Sequence, residues 1–275
     1  MSSSPSHASP PSPRSVTPAP GLSACIIAMN EEDRIGDCLA SLDFCDDIVV
    51  VDSHSTDRTR EAAAARGARV IERDWPGHAA QKDFAVRSAR HDWVLCLDAD
   101  ERVSPTLRDE VLRLRDLGFR EYAGWRMRRV SRYLGHWMRF GAWSPDWNLR
   151  LFDRRRGRWT GEHVHEHVAL DGPVGRLRGT LLHHPFRDLA EHLETIDAYT
   201  TIMAEGMRTQ GRRVGPADLL LRPAGRFLKA YVLKLGFLEG WRGVLQASLA
   251  AYYSGLKYAK LMVLQRAGEV DRPPK

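Results

Sequence analysis

The stretch WVLCLDADERV, Trp93–Val103, runs an apolar segment directly into closely spaced acids. Asp98 and Asp100 are separated by one residue, and side chains at i and i+2 of an extended strand point the same way. Two carboxylates aimed at one point suit Mg²⁺ or Mn²⁺, cations that usually hold phosphate oxygens. A D-x-D pair alone is a weak signal, because most such pairs are solvated loop acids. The apolar strand before this pair favours a metal site.

Two further apolar segments also end in polar side chains. Leu22–Met29 is followed by Asn30, and the strand-like segment Asp47–Val51 ends in Asp52. Short apolar strands that alternate with helices predict a parallel sheet covered by helices on both faces. Ligands of such sheets bind outside the carboxyl ends of the strands. We therefore expect Asn30, Asp52 and Asp98 to converge on one crevice.

The rest of the pattern predicts the elements around this crevice. Helices are predicted after Asn30 as N-cap, at 57–66, at Gln81–Arg90, at Pro105–Leu117 behind the cap Ser104, and from Arg187 onward. Strands are predicted at Ala68–Ile71, Trp93–Leu97, Tyr122–Val130 and Asn148–Asp153. The chain is divided into a disordered Ser/Pro-rich tail at 1–20, an α/β domain at 21–186 and a basic helical extension at 187–275.

Composition narrows the class of protein. The 275 residues are 43% hydrophobic, enough to bury a core, but no apolar run is long enough to predict a membrane-spanning helix. The net charge is +6, and from Arg208 to Lys275 thirteen Lys or Arg residues stand against four Asp or Glu. The preceding chain is therefore net negative, which argues against a nucleic-acid-binding protein. Irregularly spaced cysteines predict buried thiols and a reducing compartment: Cys25, Cys38, Cys45 and Cys96.

Several segments together resemble a known enzyme family. LSACIIAMNEEDRIGDCLASL, DDIVVVDSHSTDRT, AAQKDFA and DWVLCLDADERV resemble the nucleotide-binding half of family 2 glycosyltransferases. Downstream, SPDWNLRLFDRRRGRWTGEHVHEHV and RFLKAYVLKLGFLEGWRGVLQASLAAYYSGLKYAKL resemble the bacterial branch that adds glucose to the inner core of lipopolysaccharide. The resemblance implies the GT-A fold, a Rossmann-like, mostly parallel sheet with helices on both faces, followed here by the helical extension.

The resemblance also implies a UDP-sugar site. Ala28, Asn30 and Glu31 would border the base and ribose, and Asp52 would accept a hydrogen bond from the uracil ring. Lys82 would lie near the uracil carbonyl or the diphosphate. In the family the turn after the residue that corresponds to Asp52 commonly contains glycine where this chain has His54. Glycine at such a position suggests unusual backbone dihedrals.

The metal and the base complete the implied reaction. Asp98 would hold the ribose or a metal-bound water, and Asp100 would coordinate the Mg²⁺ or Mn²⁺ that bridges the diphosphate. Transfer with inversion needs a general base for the acceptor hydroxyl. Glu166 lies where the family usually places this base, and Asp146 is the second candidate. Either carboxylate could instead pair with an arginine of the run 150–158.

Alternating histidines raise a different possibility. His163, His165 and His167 would share one face of a strand, as zinc ligands can, with His183 and His184 as additional candidates. The alternative is that His165 assists the metal or the acceptor.

The helical extension has an amphipathic pattern. Arg222, Arg226 and Lys229 share one helical face, and the apolar residues Phe227, Tyr231, Leu235 and Leu238 share the opposite one. Such a helix suits an anionic membrane surface, or it packs its apolar side on the sheet domain.

The leading hypothesis is metal-dependent, inverting transfer of a hexose, glucose by resemblance, from a UDP-sugar to a lipopolysaccharide core acceptor. The enzyme would be cytoplasmic and peripheral on the inner face of the cytoplasmic membrane, without a nucleic-acid partner. The alternatives are transfer to a polyprenyl phosphate or another cell-envelope glycan, and a basic nucleic-acid-binding protein.

Overall fold

The computed structural model describes residues 19–161 and 166–266. Almost all of the predicted disordered tail lies outside these residues. The strands are β1 Leu22–Ala28, β2 Asp47–Asp52, β3 Arg69–Glu72, β4 Trp93–Asp98, β5 Glu101–Val103, β6 Gly124–Tyr133, β7 His136–Trp137, β8 Asp146–Asp153, β9 Gly157–Thr160, β10 His167–Leu170 and β11 Val174–His183. The helices are α1 Ile35–Ala40, α2 Thr59–Ala65, α3 His78–Arg87, α4 Pro105–Asp116, α5 Leu189–Thr209, α6 Pro216–Leu228 and α7 Gly240–Arg266.

The sheet domain is built on one large sheet with the order β3-β2-β1-β4-β8-β6-β11-β5, to which β7 is attached through β6. Strands β1 to β4 are parallel, and the register places Ala28 beside Asp52 and Ile27 beside Asp98. The carboxyl ends of β1, β2 and β4 therefore meet at one edge, as the alternation of strands and helices predicted.

The other half of the sheet is mixed. Strand β8 runs antiparallel to both β4 and β6, whereas β11 is parallel to β6 and antiparallel to the edge strand β5. Strands β9 and β10 form a separate two-stranded antiparallel ribbon. Apolar side chains fill both faces of the large sheet, in one cluster around Leu95 and a second around Val94. The predicted α/β GT-A class is confirmed.

Local capping differs from the prediction in one place. Ser104 caps α4 as expected, because its hydroxyl accepts a hydrogen bond from the Leu107 N–H. Asn30 is not the cap of α1, since that helix begins at Ile35 and its capping position is Arg34. Asn30 instead adopts a positive φ of 57°, and its carboxamide oxygen accepts from the Thr56 N–H at 2.8 Å. The N-cap prediction was wrong because this side chain joins two loops.

The prediction that the cysteines are free thiols is confirmed, and three of the four are buried. All four cysteines are free, and Cys25, Cys38 and Cys96 are buried. Cys25 and Cys96 are neighbours across the β1–β4 pair.

Helix α5 is anchored to the sheet domain by a polar and aromatic cluster. The His192 ring stacks on Phe186 with centroids 4.2 Å apart, and its Nδ1 lies 2.9 Å from the Tyr133 hydroxyl. Trp143 packs against the same imidazole. A further ion pair joins Arg34 to Glu191 at 2.5 Å. The extension is therefore attached to the sheet from its first turn.

The predicted basic amphipathic helix is interrupted. After α6 the chain forms a π-helical turn at Lys229–Leu233 and a 3₁₀ turn at Gly236–Glu239. Leu235 between them has a left-handed backbone, so Leu235 and Leu238 do not continue one helical face. Phe227 and Tyr231 pack against a small buried alanine cluster, as the packing alternative predicted. Among residues 19–161 and 166–266, no helix combines the length and the hydropathy needed to cross a bilayer.

The anchor of α5 should depend on pH. Burial lowers the pKa of His192 to about 4, so the folded protein binds fewer protons here than the unfolded chain. The corresponding stabilisation is present above about pH 6.5 and is lost as pH falls towards 4, on the order of 3 kcal/mol at most. We expect the melting temperature of the wild type to fall more steeply between pH 6.5 and 4.5 than that of His192→Gln, which still offers Tyr133 an acceptor. Equal slopes in circular-dichroism melts would contradict this.

Candidate active site

A cavity of about 510 Å³ opens where β1 and β4 end. Its floor is the end of β1 around Ala28 and the β4–β5 turn, and one wall is α5, which supplies Thr195 and Tyr199. The charged and polar side chains that line it are Glu31, Arg34, His78, Lys82, Asp98, Asp100, Arg129, Glu166, His183 and Glu191. Residues from the sheet domain and from the extension therefore share one site, so the predicted boundary at 186 does not separate the cavity from the extension.

Asp98 and Asp100 both face this cavity, but not as strand neighbours. Asp98 ends β4, and Asp100 lies in the turn before β5, so the turn rather than strand alternation brings them together. Asp98 pairs with Lys82 through Oδ1 at 2.8 Å and with Arg150 through Oδ2 at 2.9 Å. Burial opposes its ionisation, but the two cations hold the pKa of Asp98 well below its ordinary value. Asp98 is therefore ionised and already charge-compensated.

The turn is fixed by a buried acid that follows it. Glu101 is fully buried, and its Oε2 accepts a hydrogen bond from the Asp98 backbone N–H at 3.0 Å. Its Oε1 accepts from Arg129 at 3.1 Å and from Arg150 at 2.9 Å. A carboxylate without these partners could not be buried without a large desolvation cost. The network therefore holds the backbone of the β4–β5 turn in one position.

Asp100 has the features of a metal ligand. Its Oδ2 lies 3.2 Å from His183 Nε2, while its Oδ1 is buried without a hydrogen-bond partner among the described residues. Burial raises the pKa of Asp100, but His183 and Arg129 act in the opposite direction and the pKa is lowered overall. No cluster of three or more His, Cys, Asp or Glu side chains suited to a metal occurs in residues 19–161 and 166–266. One carboxylate and one imidazole fit Mg²⁺ or Mn²⁺ if phosphate oxygens and waters complete the coordination.

Glu166 faces the same cavity from the segment before β10. Its Oε1 lies 3.1 Å from Lys82 Nζ, so Lys82 joins Asp98 to Glu166. The lysine is buried and lies over the Trp159 ring at 4.9 Å. The ion-pair partner is thus Lys82 rather than an arginine of the run 150–158. Burial opposes ionisation of Glu166, but Lys82 outweighs it and lowers the pKa.

Asp146, the second candidate base, lies outside this cavity lining. It begins β8 and lines an adjoining cavity of about 330 Å³ together with Trp143 and Lys234. Its carboxylate accepts hydrogen bonds from Arg129 Nε at 2.7 Å and from Asn148 at 2.9 Å. For Asp146 the partner is again not an arginine of the 150–158 run. The two candidate bases therefore occupy different environments.

The residues assigned to the nucleotide by resemblance differ in whether they line the cavity. Ala28 and Glu31 line the cavity, and burial raises the pKa of Glu31 to about 7 although Arg34 opposes this. Asn30 is exposed and bonded to Thr56. Asp52 ends β2 beside Ala28 but is fully buried, with both oxygens accepting hydrogen bonds from Ser55. Asp98 lines the cavity but Asn30 and Asp52 do not, so the expected convergence of all three side chains on one crevice was wrong. The uracil role of Asp52 stays a prediction.

The structure tests the expected dihedral at His54 but not the zinc hypothesis for the alternating histidines. His54 adopts a φ of 57°, so the turn after β2 does need the unusual dihedral that glycine provides elsewhere. His163 and His165 lie outside the described residues, so the zinc hypothesis stays untested, and His167 begins β10. His183 lies beside Asp100 in the main cavity.

Sequence reasoning missed several cavity residues. Arg129, Trp75, His78 and Tyr199 line the site but belong to no recognisable motif. Glu101 could have been found, because it follows the two aspartates directly and a third acid there needs a cationic partner.

Comparison with known proteins places the chain in a family. Residues 23–169 match the model described as Glycosyl transferase family 2. The lipopolysaccharide core biosynthesis glycosyltransferase LpsC of Rhizobium meliloti is 35% identical over 269 residues, which cover 92% of this chain and 95% of that protein. An uncharacterized glycosyltransferase of Rickettsia typhi is 28% identical and covers 88% of this chain and 87% of its own length.

The solved structures that resemble this chain are less similar to it in sequence than these relatives. Glucosyl-3-phosphoglycerate synthase from Mycobacterium tuberculosis in complex with phosphoglyceric acid has a TM-score of 0.47 and 18% identity, over 71% of this chain and 82% of that one. S. aureus TarS 1-349 has a TM-score of 0.43 and 12% identity, over 93% of each chain. The family model covers more than half of the sequence and includes Asp98, Asp100 and Glu166. The chain therefore belongs to glycosyl transferase family 2 and is a glycosyltransferase.

Proposed function

We propose that this enzyme transfers a hexose, glucose by family resemblance, from a UDP-sugar to a lipopolysaccharide core acceptor, with inversion and with Mg²⁺ or Mn²⁺. The observation that carries the proposal is the single cavity in which Asp100, His183, Lys82 and Glu166 meet. The printed name of the Rhizobium meliloti relative, which aligns over most of both chains, supports the acceptor class.

The described residues suggest how the donor is held. Asp100 and His183 would hold the divalent cation, which as a Lewis acid stabilises charge on the departing diphosphate. Lys82 supplies a positive charge in the same cavity, and Arg150 keeps Asp98 in place. Ala28 and Glu31 lie where a nucleoside would border the end of β1. Thr195 and Tyr199 of α5 would cover the donor from the opposite side.

Glu166 would act as the general base. Its lowered pKa means that it is ionised at neutral pH and ready to accept the proton of the acceptor hydroxyl. In the structure described here it is paired with Lys82. A bound diphosphate would compete for this ammonium, and Glu166 would become more basic as that pairing weakens. Donor binding would thereby prepare the base.

We expect Asp100→Asn to weaken Mn²⁺ binding in the presence of UDP at least tenfold, about 1.4 kcal/mol, because a neutral amide replaces the buried anionic oxygen. Isothermal titration calorimetry measures this directly. Asp109→Asn, an exposed acid of α4, serves as the matched control and should bind like the wild type. If both variants bind equally, the cation does not use Asp100.

The base assignment has its own test. Glu166→Gln should lower the rate of transfer by about 10²- to 10⁴-fold, because the amide cannot accept the proton. UDP–Mn²⁺ affinity should not fall, because Glu166 is not assigned to the metal and its neutralisation frees Lys82 for the diphosphate. Asp146→Asn should reduce transfer less. The opposite order, with Asp146→Asn the more damaging change, would transfer the role to Asp146.

We further propose that the enzyme is peripheral on the cytoplasmic face of an anionic membrane, where a lipid-linked acceptor is reached. The extension exposes large apolar side chains beside Arg226 and Lys229, which are also exposed. The most exposed of them are Leu220 at 74%, Leu221 at 71% and Leu233 at 77%. Exposed apolar side chains on a segment that also carries exposed basic side chains suit the interface of an anionic bilayer. The four free cysteines suit a reducing compartment.

The membrane surface differs from the one that the helical pattern predicted. Arg222 is bonded to Asp218 at 2.5 Å and lies over the Tyr258 ring, so it is tied to the protein. Phe227 and Tyr231 face inward. The apolar part of the proposed membrane contact is therefore formed by the exposed leucines of α6 and of the π-helical turn instead of Phe227 and Tyr231.

We expect the pair Leu221→Gln and Leu233→Gln to reduce co-sedimentation with anionic phosphatidylglycerol vesicles about tenfold or more, because each leucine loses its favourable transfer from water. Leu117→Gln changes a leucine of equal chemistry, 67% exposed at the end of α4, and should sediment like the wild type. Equal sedimentation of all three proteins would exclude this surface as the membrane contact.

A further inference from the structure

A third cavity, of about 400 Å³, lies beside the active-site cavity and shares Arg34 and Phe186 with it. It is formed by the tight β6–β7 turn, the segment after β11 and the loop before α1. Its lining residues are Asp33, Arg34, Arg102, Arg132, Leu134, Gly135, His184, Phe186 and Arg187. We refer to it as the basic cavity, because four of the nine are arginines and one is a histidine.

Three of the four arginines of the basic cavity have acidic partners. Arg34 pairs with Glu31 at 3.3 Å and with Glu191 at 2.5 Å, two acids outside the lining. Arg102 pairs with Asp37 at 2.6 Å, an acid outside the lining. Arg187 lies 3.5 Å from Asp33, the single acid of the lining. Arg132 is exposed and has no acidic partner within 4 Å among residues 19–161 and 166–266. Its guanidinium lies 6.0 Å from the Trp137 ring centroid. At least one arginine therefore has its donors available to a ligand.

His184 also lines the basic cavity, where it is partly buried. An imidazole can donate a hydrogen bond through its ring N–H. Its ring is held edge-on to Trp137 with centroids 5.3 Å apart, and its backbone N–H donates to the Asp100 carbonyl at 2.9 Å. The donor is therefore held in place by the turn that also carries Asp100.

We propose that the basic cavity binds an anionic group of the saccharide acceptor, and that a phosphate monoester matches its charge best. Arginine donors bind phosphate and carboxylate in bidentate geometry. Arg132 has no acidic partner among the described residues, and Arg102 and Arg187 line the same cavity. The inference rests on the proposed function in one respect, namely that the ligand belongs to the acceptor.

The position of the basic cavity supports this assignment. His183 faces the cavity of Asp100 and Glu166, and the next residue, His184, faces the basic cavity. The two cavities are therefore separated by little more than the end of β11 and the Arg34 side chain. An acceptor with its hydroxyl at Glu166 and its anionic group at Arg132 would extend from one cavity into the other.

Calorimetry with inorganic phosphate tests the proposal without transfer activity. The full chain is first saturated with UDP and Mg²⁺, so that the diphosphate site is occupied, and is then titrated with phosphate. We expect the wild type to bind phosphate and Arg132→Gln to bind it about tenfold more weakly, with Arg132→Lys intermediate. Arg113→Gln removes an exposed arginine of α4 with the same loss of charge and should bind like the wild type.

Sodium acetate, titrated at matched ionic strength, distinguishes the two anion classes. Tighter binding of phosphate supports a phosphorylated acceptor, and equal or tighter binding of acetate supports a carboxylated sugar. The proposal is overturned if neither anion binds, or if Arg132→Gln and Arg113→Gln bind as the wild type does. A protein that binds phosphate at Arg132 but does not bind UDP would instead contradict the proposed function alone.

Discussion

Burial of the Glu101 carboxylate between Arg129 and Arg150 is the constraint on which the active site depends. An ion removed from water must have its partners in place, because an unpaired buried charge is strongly destabilising. Arg150 in turn holds Asp98, and Asp98 holds Lys82, so the charges of the cavity form one connected network. The same glutamate accepts the backbone N–H of Asp98. The position of the β4–β5 turn, and of Asp100 within it, follows from this network.

The helical extension contributes to the site as well as to the surface. Helix α5 is held to the sheet by the stacked pair Phe186 and His192 and by the Arg34–Glu191 ion pair. Thr195 and Tyr199 then line the cavity one and two turns further along. The family model ends at residue 169, so this wall and His183 lie outside the matched region. Differences between relatives in this part of the chain would change this wall of the cavity without altering its floor.

Much of the fold was predictable from the sequence because its cause is local. Apolar strands alternating with helices indicated β1, β2 and β4, and the position of Asp98 at the end of β4 followed from that pattern. The partners of Asp98 were less accessible, because Arg150 is 52 residues away and pairs through an antiparallel strand inserted into the sheet. The N-cap role of Asn30 failed for a related reason, since its carboxamide is used by the loop after β2. The break in the basic helix near Leu235 lies where the Gly141 N–H of the sheet domain donates to the Lys234 carbonyl, a contact that no periodicity reports.

The adjacent positions of His183 and His184 limit where insertions and deletions can occur in the sequence around β11. Side chains of consecutive residues in an extended chain point to opposite sides, so one strand end serves two compartments. β11 is in register with β5 at Glu101 and with β6 at Ser131, whose hydroxyl contacts the His183 ring. A slip of this strand by one residue would exchange the two imidazoles between the compartments. Insertions and deletions should therefore be tolerated in the loops around β11 but not within its last few residues.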